Sequence, residues 1–320
     1  MPDLASRPRI RQYWGLICAS IAAKDTIQMG KSEPMNTIRN TFYEGERALF
    51  SSRNISLENV KFYPGDSALK QSENIKALHC EFMGKYPFWH NTNTEIEDCR
   101  FTVYSRAAIW YSSHLRMINC TVDAPKMFRE VSHFYLENTR LANAAECCWN
   151  CHHAKFRHVE IHGGDYLFMN GTEIDIDGFR LQGNYAFQDA RNVVIRNAHL
   201  DSKDAFWNTE NVTVYDSVIN GEYLGWHSKN LRLVNCTISG EQPLCYATDL
   251  VMENCTMVDT DLCFEYSTLR ADIRGTILSV KNPRGGFIHA ERIEEIVIDE
   301  NCIDPGHCEI VVSTNAGAQS

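Results

Sequence analysis

Residues 146–153 read ECCWNCHH, three cysteines and two histidines within eight positions. Thiolates and imidazoles are the ligands zinc prefers, so this run raises a metal site first. Carboxylates are a second chemistry. Asp189 and Asp204, with Glu146 and Asp165, fall near tryptophans along the chain, and carboxylates that converge can do general acid/base work. Tryptophan is a third: Trp89, Trp110, Trp149, Trp207 and Trp226 carry flat apolar faces of the kind that stack on sugar rings. No phosphate-cradling loop, nucleophile elbow or zinc-protease motif is present.

These residues are positioned by a repeat. NISLENVKF (54–62), NIKALHCEF (74–82), HLRMINCTV (114–122), NVTVYDSVI (211–219) and NLRLVNCTI (230–238) are five of eleven similar units spaced about 19 to 21 residues apart, and less regular units follow from about 269 and 295. Within a unit, apolar and polar residues alternate, as Ile55, Lys76, Ile96 and Arg116 show, which is the signature of a half-buried strand. A turn former comes next, as Asn59, Asp98, Asn119 and Asn235 do. A second short strand follows, and the spacing predicts a third near AFWN (205–208) and PFWH (87–90). Short strands stacked at this period predict an all-β fold, a single-stranded right-handed parallel β-helix of about 12 coils. No coil buries its inner face alone, so residues 35–312 form one domain.

The repeat gives every candidate a phase. Cys80, Cys99, Cys120, Cys236 and Cys255 share one inward position and are expected to form an internal stack of small apolar side chains. Trp89, Trp110, Trp149, Trp207 and Trp226 each lie four residues before a coil start. That places Cys147 and Cys148 on the third strand and Cys151 in the turn after it. His153 takes the start position that asparagine holds in other coils. Strand and turn account for the run without a metal. The metal alternative is a corner where His114, His133 and His153 stack on adjacent rungs, with Cys151 nearby. Tyr166, Tyr185 and Tyr223, seven residues before a start as Tyr86 is, extend the tryptophan face. Opposite charges on successive rungs, Glu137, Arg157, Asp177 and Arg196, predict cross-strand ion pairs.

The net charge of −10 argues against a general nucleic-acid surface or an anionic membrane as partner, and no apolar run reaches the roughly 20 residues a membrane helix needs. Thirteen cysteines cannot all pair, which favours a reducing, cytoplasmic setting over a disulfide scaffold. Residues 1–34 differ from the rest. Arginines precede an apolar stretch that ends in SIAA, so a short signal peptide and secretion are one expectation. An extension before a true start at Met35 is the expectation favoured here. Residues 313–320 are expected to form a tail.

FYEGERALF (42–50), KYPFWH (85–90), SKDAFWNTENVTVYDS (202–217), GEYLGWHSKNL (221–231) and FEYST (264–268) resemble an uncharacterised bacterial family known as a domain of unknown function, DUF3737-like. The resemblance spans roughly residues 36–312. It implies a right-handed parallel β-helix of the pectin-lyase-like type and carries no activity. Larger relatives of that fold include pectin hydrolases, whose Asp-Asp, Gly-His-Gly and Arg-Ile-Lys segments are missing here, and fold alone does not convey function. Their lyases use a basic residue beside a cation or arginine clamp, a role that Arg157, Arg180 and Arg196 would have to fill. The expected function is a carbohydrate-binding solenoid that uses the aromatic strip, with no cofactor and an oligo- or polysaccharide partner. The alternatives are a lyase or epimerase-like enzyme using Asp189, Asp204, Arg157 and Arg196, and a scaffold for a protein partner.

Overall fold

The computed structural model describes residues 34–313. The expectations for residues 1–33 and for the tail from residue 314 lie outside the described residues. Every strand pairing from Asn36 to Val312 is parallel, and the strands stack into about 15 coils. The register is one coil per step: Ile55 lies beside Ile75, which lies beside Thr94, and Val193 beside Val212 beside Leu231. The count exceeds the expected 12 because Asn36–Tyr43 adds a coil before the first repeat and Cys308–Val312 adds one at the end. The coil expected from about residue 295 begins its strand at Gly285.

Alternation along each strand turns one face inward, and the registered stacking makes columns of like residues. Phe62, Phe82 and Phe101 stack with centroids 5.2 and 4.8 Å apart, and Phe168, Phe187 and Phe206 at 5.6 and 5.3 Å. All six are at most 2 % exposed. Burying one such ring contributes about 1.5–3 kcal/mol, so these two columns are a large part of what holds the coils together.

Corners, not strands, explain the asparagines. From Asn54 to Asp249 the eleven start residues all have φ between 53° and 61°. That left-handed conformation costs most residues energy and costs asparagine, aspartate and histidine least. The side chains then stack outside the corner: Asn74 Nδ2 donates to Asn54 Oδ1 at 2.8 Å, and Asn230 Nδ2 to Asn211 Oδ1 at 2.8 Å. The same device recurs between the two strands, where Asn254 Nδ2 donates to Asn235 Oδ1 at 2.7 Å, and again three residues before each start, where Asn170 Nδ2 donates to Asn150 Oδ1 at 3.2 Å.

At several corners between the two strands a side chain on the following coil accepts the next backbone N–H. Cys80 N–H donates to Cys99 Sγ at 3.2 Å, Cys120 N–H to Thr139 Oγ1 at 3.4 Å and Ala198 N–H to Ser217 Oγ at 3.0 Å. The thiol column is buried as expected, but it is not merely apolar. Where it holds Cys, Ser or Thr, the small side chain can accept a hydrogen bond from a buried N–H; Val60, Val159, Phe179 and Ala198 fill the same position in other coils.

The third strand is largely absent. Residues 87–90 and 205–208 form turns, and among the described residues pairing in this phase is limited to Ile109–Trp110 with Phe128–Arg129 and a few single bridges. The cause lies in the backbone. Tyr166, Phe168 and Asn170 are all left-handed, as are Tyr185, Phe187 and Asp189, and a residue at positive φ in every other place bends the chain out of strand geometry. Trp89, Trp207 and Trp226 therefore ride on turns, while Trp110 keeps a two-residue strand.

Candidate functional site

ECCWNCHH resolves into an inside and an outside. Cys147, Cys148 and Cys151 are fully buried. Cys147 Sγ accepts the Met127 N–H at 3.2 Å, and burial pushes its pKa up to about 12. Cys148 is raised as well, first by burial and then by its neighbour Cys151. Protonated, desolvated thiols are poor nucleophiles and poor ligands. His153 lies outside, stacked on His133 at 4.5 Å, which stacks on His114 at 5.0 Å. Cys151 faces away from these rings, and its Sγ lies 3.6 Å from the Trp149 carbonyl oxygen. Among the described residues no group of three or more His, Cys, Asp or Glu side chains is arranged to hold a metal ion. Histidine is at these corners because it tolerates the left-handed backbone and because its ring continues the stack.

The five tryptophans do form one column, all of them half-buried. The rings of Trp89 and Trp110, and of Trp207 and Trp226, lie on one another. Trp89 and Trp110 are 5.2 Å apart and 8° from parallel. The Lys70 ammonium covers the far face of Trp89 at 5.2 Å. The Arg129 guanidinium lies between Trp110 at 4.4 Å and Trp149 at 4.6 Å, and Glu146 holds Arg129 at 3.3 Å and Lys126 at 2.8 Å. Cation–π contacts of this kind contribute about 0.5–2 kcal/mol each. The indole N–H groups of Trp89, Trp110 and Trp226 are pinned to carbonyls of the next coil, those of Ala107, Lys126 and Gln242. The pile from Lys70 to Trp149 thus presents ring edges, not the row of open faces the spacing predicted.

The pile ends at Trp149. The next two coils carry Met169 and Gln188 in this column, and Trp207 follows. Neither Trp149 nor Trp207 makes the indole bond of the other three among the described residues, and Trp149 Nε1 is buried without a partner. Gln188 turns its amide aside to Asp189 at 3.1 Å. On the flank, Tyr166 and Tyr185 stack at 4.7 Å, and Tyr166 meets Trp149 edge-on at 6.5 Å. Beyond the interval the aromatics resume: Trp207 is tilted 36° on Trp226 at 5.8 Å, and Tyr223 packs edge-on to Trp226 at 5.0 Å.

The carboxylates occupy three separate columns. Asp189 belongs to the outer ladder, where Asn208 Nδ2 donates to it at 2.6 Å. Asp204 lies in the tyrosine column and is only 3 % exposed. Burial raises its pKa, and the neighbouring Lys203 opposes the shift. Glu146 is spent on Lys126 and Arg129, and Asp165 accepts the Asn184 N–H at 2.7 Å. The arginines are elsewhere again, on the outward face of the first strand. Arg157 and Arg196 both reach Asp175, at 3.1 and 3.2 Å. The rungs Glu137, Arg157, Asp177 and Arg196 do align, but the ion pairs run diagonally to Asp175, because an arginine reaches past its direct neighbour and Asp177 is taken by Asn197 at 2.7 Å.

One polar group, apart from Arg180, was not singled out from the sequence. On the outward face of the second strand, Glu160 and His162 sit in one coil, Arg180 and Gln182 in the next, His199 and Asp201 in the third. The signal was available in the alternation itself: E-x-H at 160–162 and H-x-D at 199–201 each place two groups on one strand face.

A family model for a protein of unknown function (DUF3737) matches residues 36–311. The chain belongs to that family. No curated protein matches it significantly. Among solved structures, the A-module of the mannuronan C-5 epimerase AlgE4 of Azotobacter vinelandii aligns at 11% identity over 88% of this chain and 91% of that one, with a TM-score of 0.33. A mutant tailspike protein of E. coli bacteriophage HK620, in complex with a pentasaccharide, aligns at 10% identity over 87% and 72%, with a TM-score of 0.42. At TM-scores of this size nothing about the present chain follows from them.

Proposed function

We propose that this member of the DUF3737 family binds an oligosaccharide in the interval between Trp149 and Trp207. The observation that carries the proposal is the break in the aromatic pile. Three rung steps at about 4.8 Å separate the two rings, a distance on the order of 14 Å. Beside Trp149 and Trp207 this column carries Met169 and Gln188 in place of a ring, and the one ring against Trp149 from the next coil, Tyr166, meets it edge-on. Aromatic faces bounding a polar floor are what sugar rings require, apolar C–H faces against the rings and hydroxyls against hydrogen-bonding groups. Asn170, Asp189 and Asn208 supply such groups along one side, and Tyr166 and Tyr185 along the other.

The test is a fluorescence titration of the full chain against neutral and acidic oligosaccharides, repeated with Trp207→Ala and Trp89→Ala. A saturable shift that Trp207→Ala abolishes and Trp89→Ala preserves supports the site. A flat response across the panel, or equal loss in both variants, removes it.

A further inference from the structure

The face of the second strand carries a separate constellation, remote in phase from the tryptophan column. In most coils the charges on this face are neutralised across rungs, as Lys61 is by Glu81 at 3.8 Å and Arg100 by Asp123 at 3.0 Å. Arg180 is different. The register sets it between Glu160 on one coil and His199 on the next, yet it has no ion pair or hydrogen bond among the described residues. The acids around it are already engaged. Glu160 meets His162 Nε2 at 2.6 Å and Arg140 at 3.8 Å, and its pKa is lowered first by the His162 hydrogen bond. Asp201 meets His199 Nε2 at 3.2 Å and accepts from Asn220 Nδ2 at 2.9 Å. Ser239 Oγ in turn donates to Asn220 Oδ1 at 2.6 Å. A chain of four side chains over three coils therefore fixes the orientation of His199, whose Nδ1 is left without a described partner. Exposed side chains lose conformational freedom in such a network, and nothing in the packing of the coils requires it.

The backbone opens a recess at the same place. At the corner between the two strands every coil from Asn59 to Asn254 carries an outward side chain, apart from Gly178. A Cβ at Gly178 would lie 2.5 Å from His158 Nδ1. Without one, the His158 ring settles across the corner and the asparagine ladder is interrupted. The result is a shallow groove of about 440 Å³ lined by His158, Glu160, Arg180, Asn197 and His199.

We propose that this groove binds the oxyanion of a small, hydroxyl-rich ligand, a sugar acid or a sugar phosphate, at Arg180. A guanidinium offers a planar fork of donors that matches a carboxylate or phosphate. Arg180 is the one described guanidinium in the groove; Glu160 beside it feels its charge but gives its hydrogen bond to His162, so the guanidinium fork keeps its donors. His199 Nδ1 lies one rung away, oriented by Asp201, to meet a second oxygen of the anion or a hydroxyl. Asn197 and Gln182 offer amides to the remaining hydroxyls. In a chain of net charge −10 the overall field repels anions, so capture depends on this local cation.

Isothermal titration of the full chain with glucuronate, inorganic phosphate and glucose tests the site. Glucuronate is expected to bind saturably and glucose not at all. Phosphate binding as tight as glucuronate binding would identify the phosphate as the recognised group, and weaker phosphate binding the carboxylate. Arg180→Ala is expected to weaken either anion at least tenfold with the melting temperature unchanged. Arg116→Ala, an exposed arginine on the first-strand face, is expected to leave affinity unchanged. No saturable binding of either anion, or equal affinity in Arg180→Ala, overturns the proposal. The oligosaccharide site between Trp149 and Trp207 stands or falls separately, because Trp207→Ala does not touch this groove.

Discussion

The stretch of the tryptophan column from Lys70 to Trp149 and the interval from Trp149 to Trp207 share one phase of the repeat and one degree of exposure, yet they differ in backbone and in chemistry: Phe168, Phe187 and Phe206 are left-handed where Phe88, Ile109 and Phe128 are not. In the first, both faces of Trp89 and Trp110 and one face of Trp149 are covered by a ring or a cation of a neighbouring coil. In the second, Met169 and Gln188 interrupt the pile. A tryptophan in a solenoid is therefore structural or available according to what the neighbouring coil places above it, about 4.8 Å away. Phase along the chain says where a side chain points, and only the neighbour says whether its face is free.

The largest effect that should separate the two regions is on stability. Trp110→Ala removes a ring stacked on both faces and pinned by its N–H, and is expected to cost about 2–4 kcal/mol in chemical denaturation, with saccharide affinity unchanged. Trp207→Ala should do the reverse, weakening saccharide binding at least tenfold, about 1.4 kcal/mol, with a smaller loss of stability than Trp110→Ala. If the two variants lose stability equally, the distinction between a sealed pile and an open interval fails. Gln188→Trp sharpens the comparison from the other side. It places a ring against Trp207, and is expected to abolish binding while holding or slightly raising the denaturation midpoint.

Smaller effects test the interior. Ellman's reagent on the native chain is expected to modify Cys302 and Cys308, which are partly exposed, well before Cys120 or Cys147. Burial raises Cys120 and Cys147 to about 12 and Cys308 to about 11, so exposure sets the order more than acidity does. Rapid reaction of the column thiols would contradict their place in the core. The smallest expected effect is at Asp204. Its folded pKa lies above the unfolded value, so the folded state holds the proton more tightly. Stability is then greatest below the ordinary aspartate value of about 3.9 and declines as pH rises through the folded pKa. Asp204→Asn should melt above the parent at pH 7, with the difference closing in acid.

Much of the fold was legible because a parallel β-helix writes its register into the chain. Ile55, Ile75 and Val193 recur at one spacing, and each lies inside as the alternation requires. The corners were half legible. The spacing marked Asn59 and Asn235 as turn residues, but it did not show that a left-handed backbone is what they share with His153 and His158. That conformation answers the puzzle of ECCWNCHH. The third strand failed for a related cause: Tyr166, Phe168 and Asn170 look like any aromatic strand in sequence, and nothing in their types announces an alternating left-handed backbone. The site was least legible. Trp149 and Trp207 carry the same signal as Trp89, since the gap beside them depends on residues 20 positions away. Arg157 and Arg196 share a column and a partner, Asp175, and the acids near the tryptophans proved to lie in other columns.

Oxidative footprinting of the five column tryptophans, read by mass spectrometry with and without a bound oligosaccharide, tests the central claim most directly. An open interval predicts that Trp149 and Trp207 gain protection on binding while Trp89 and Trp110 do not change. Equal protection along the whole column would mean that the ligand runs over the ring edges, and would contradict the division of the column into a sealed pile and an open site.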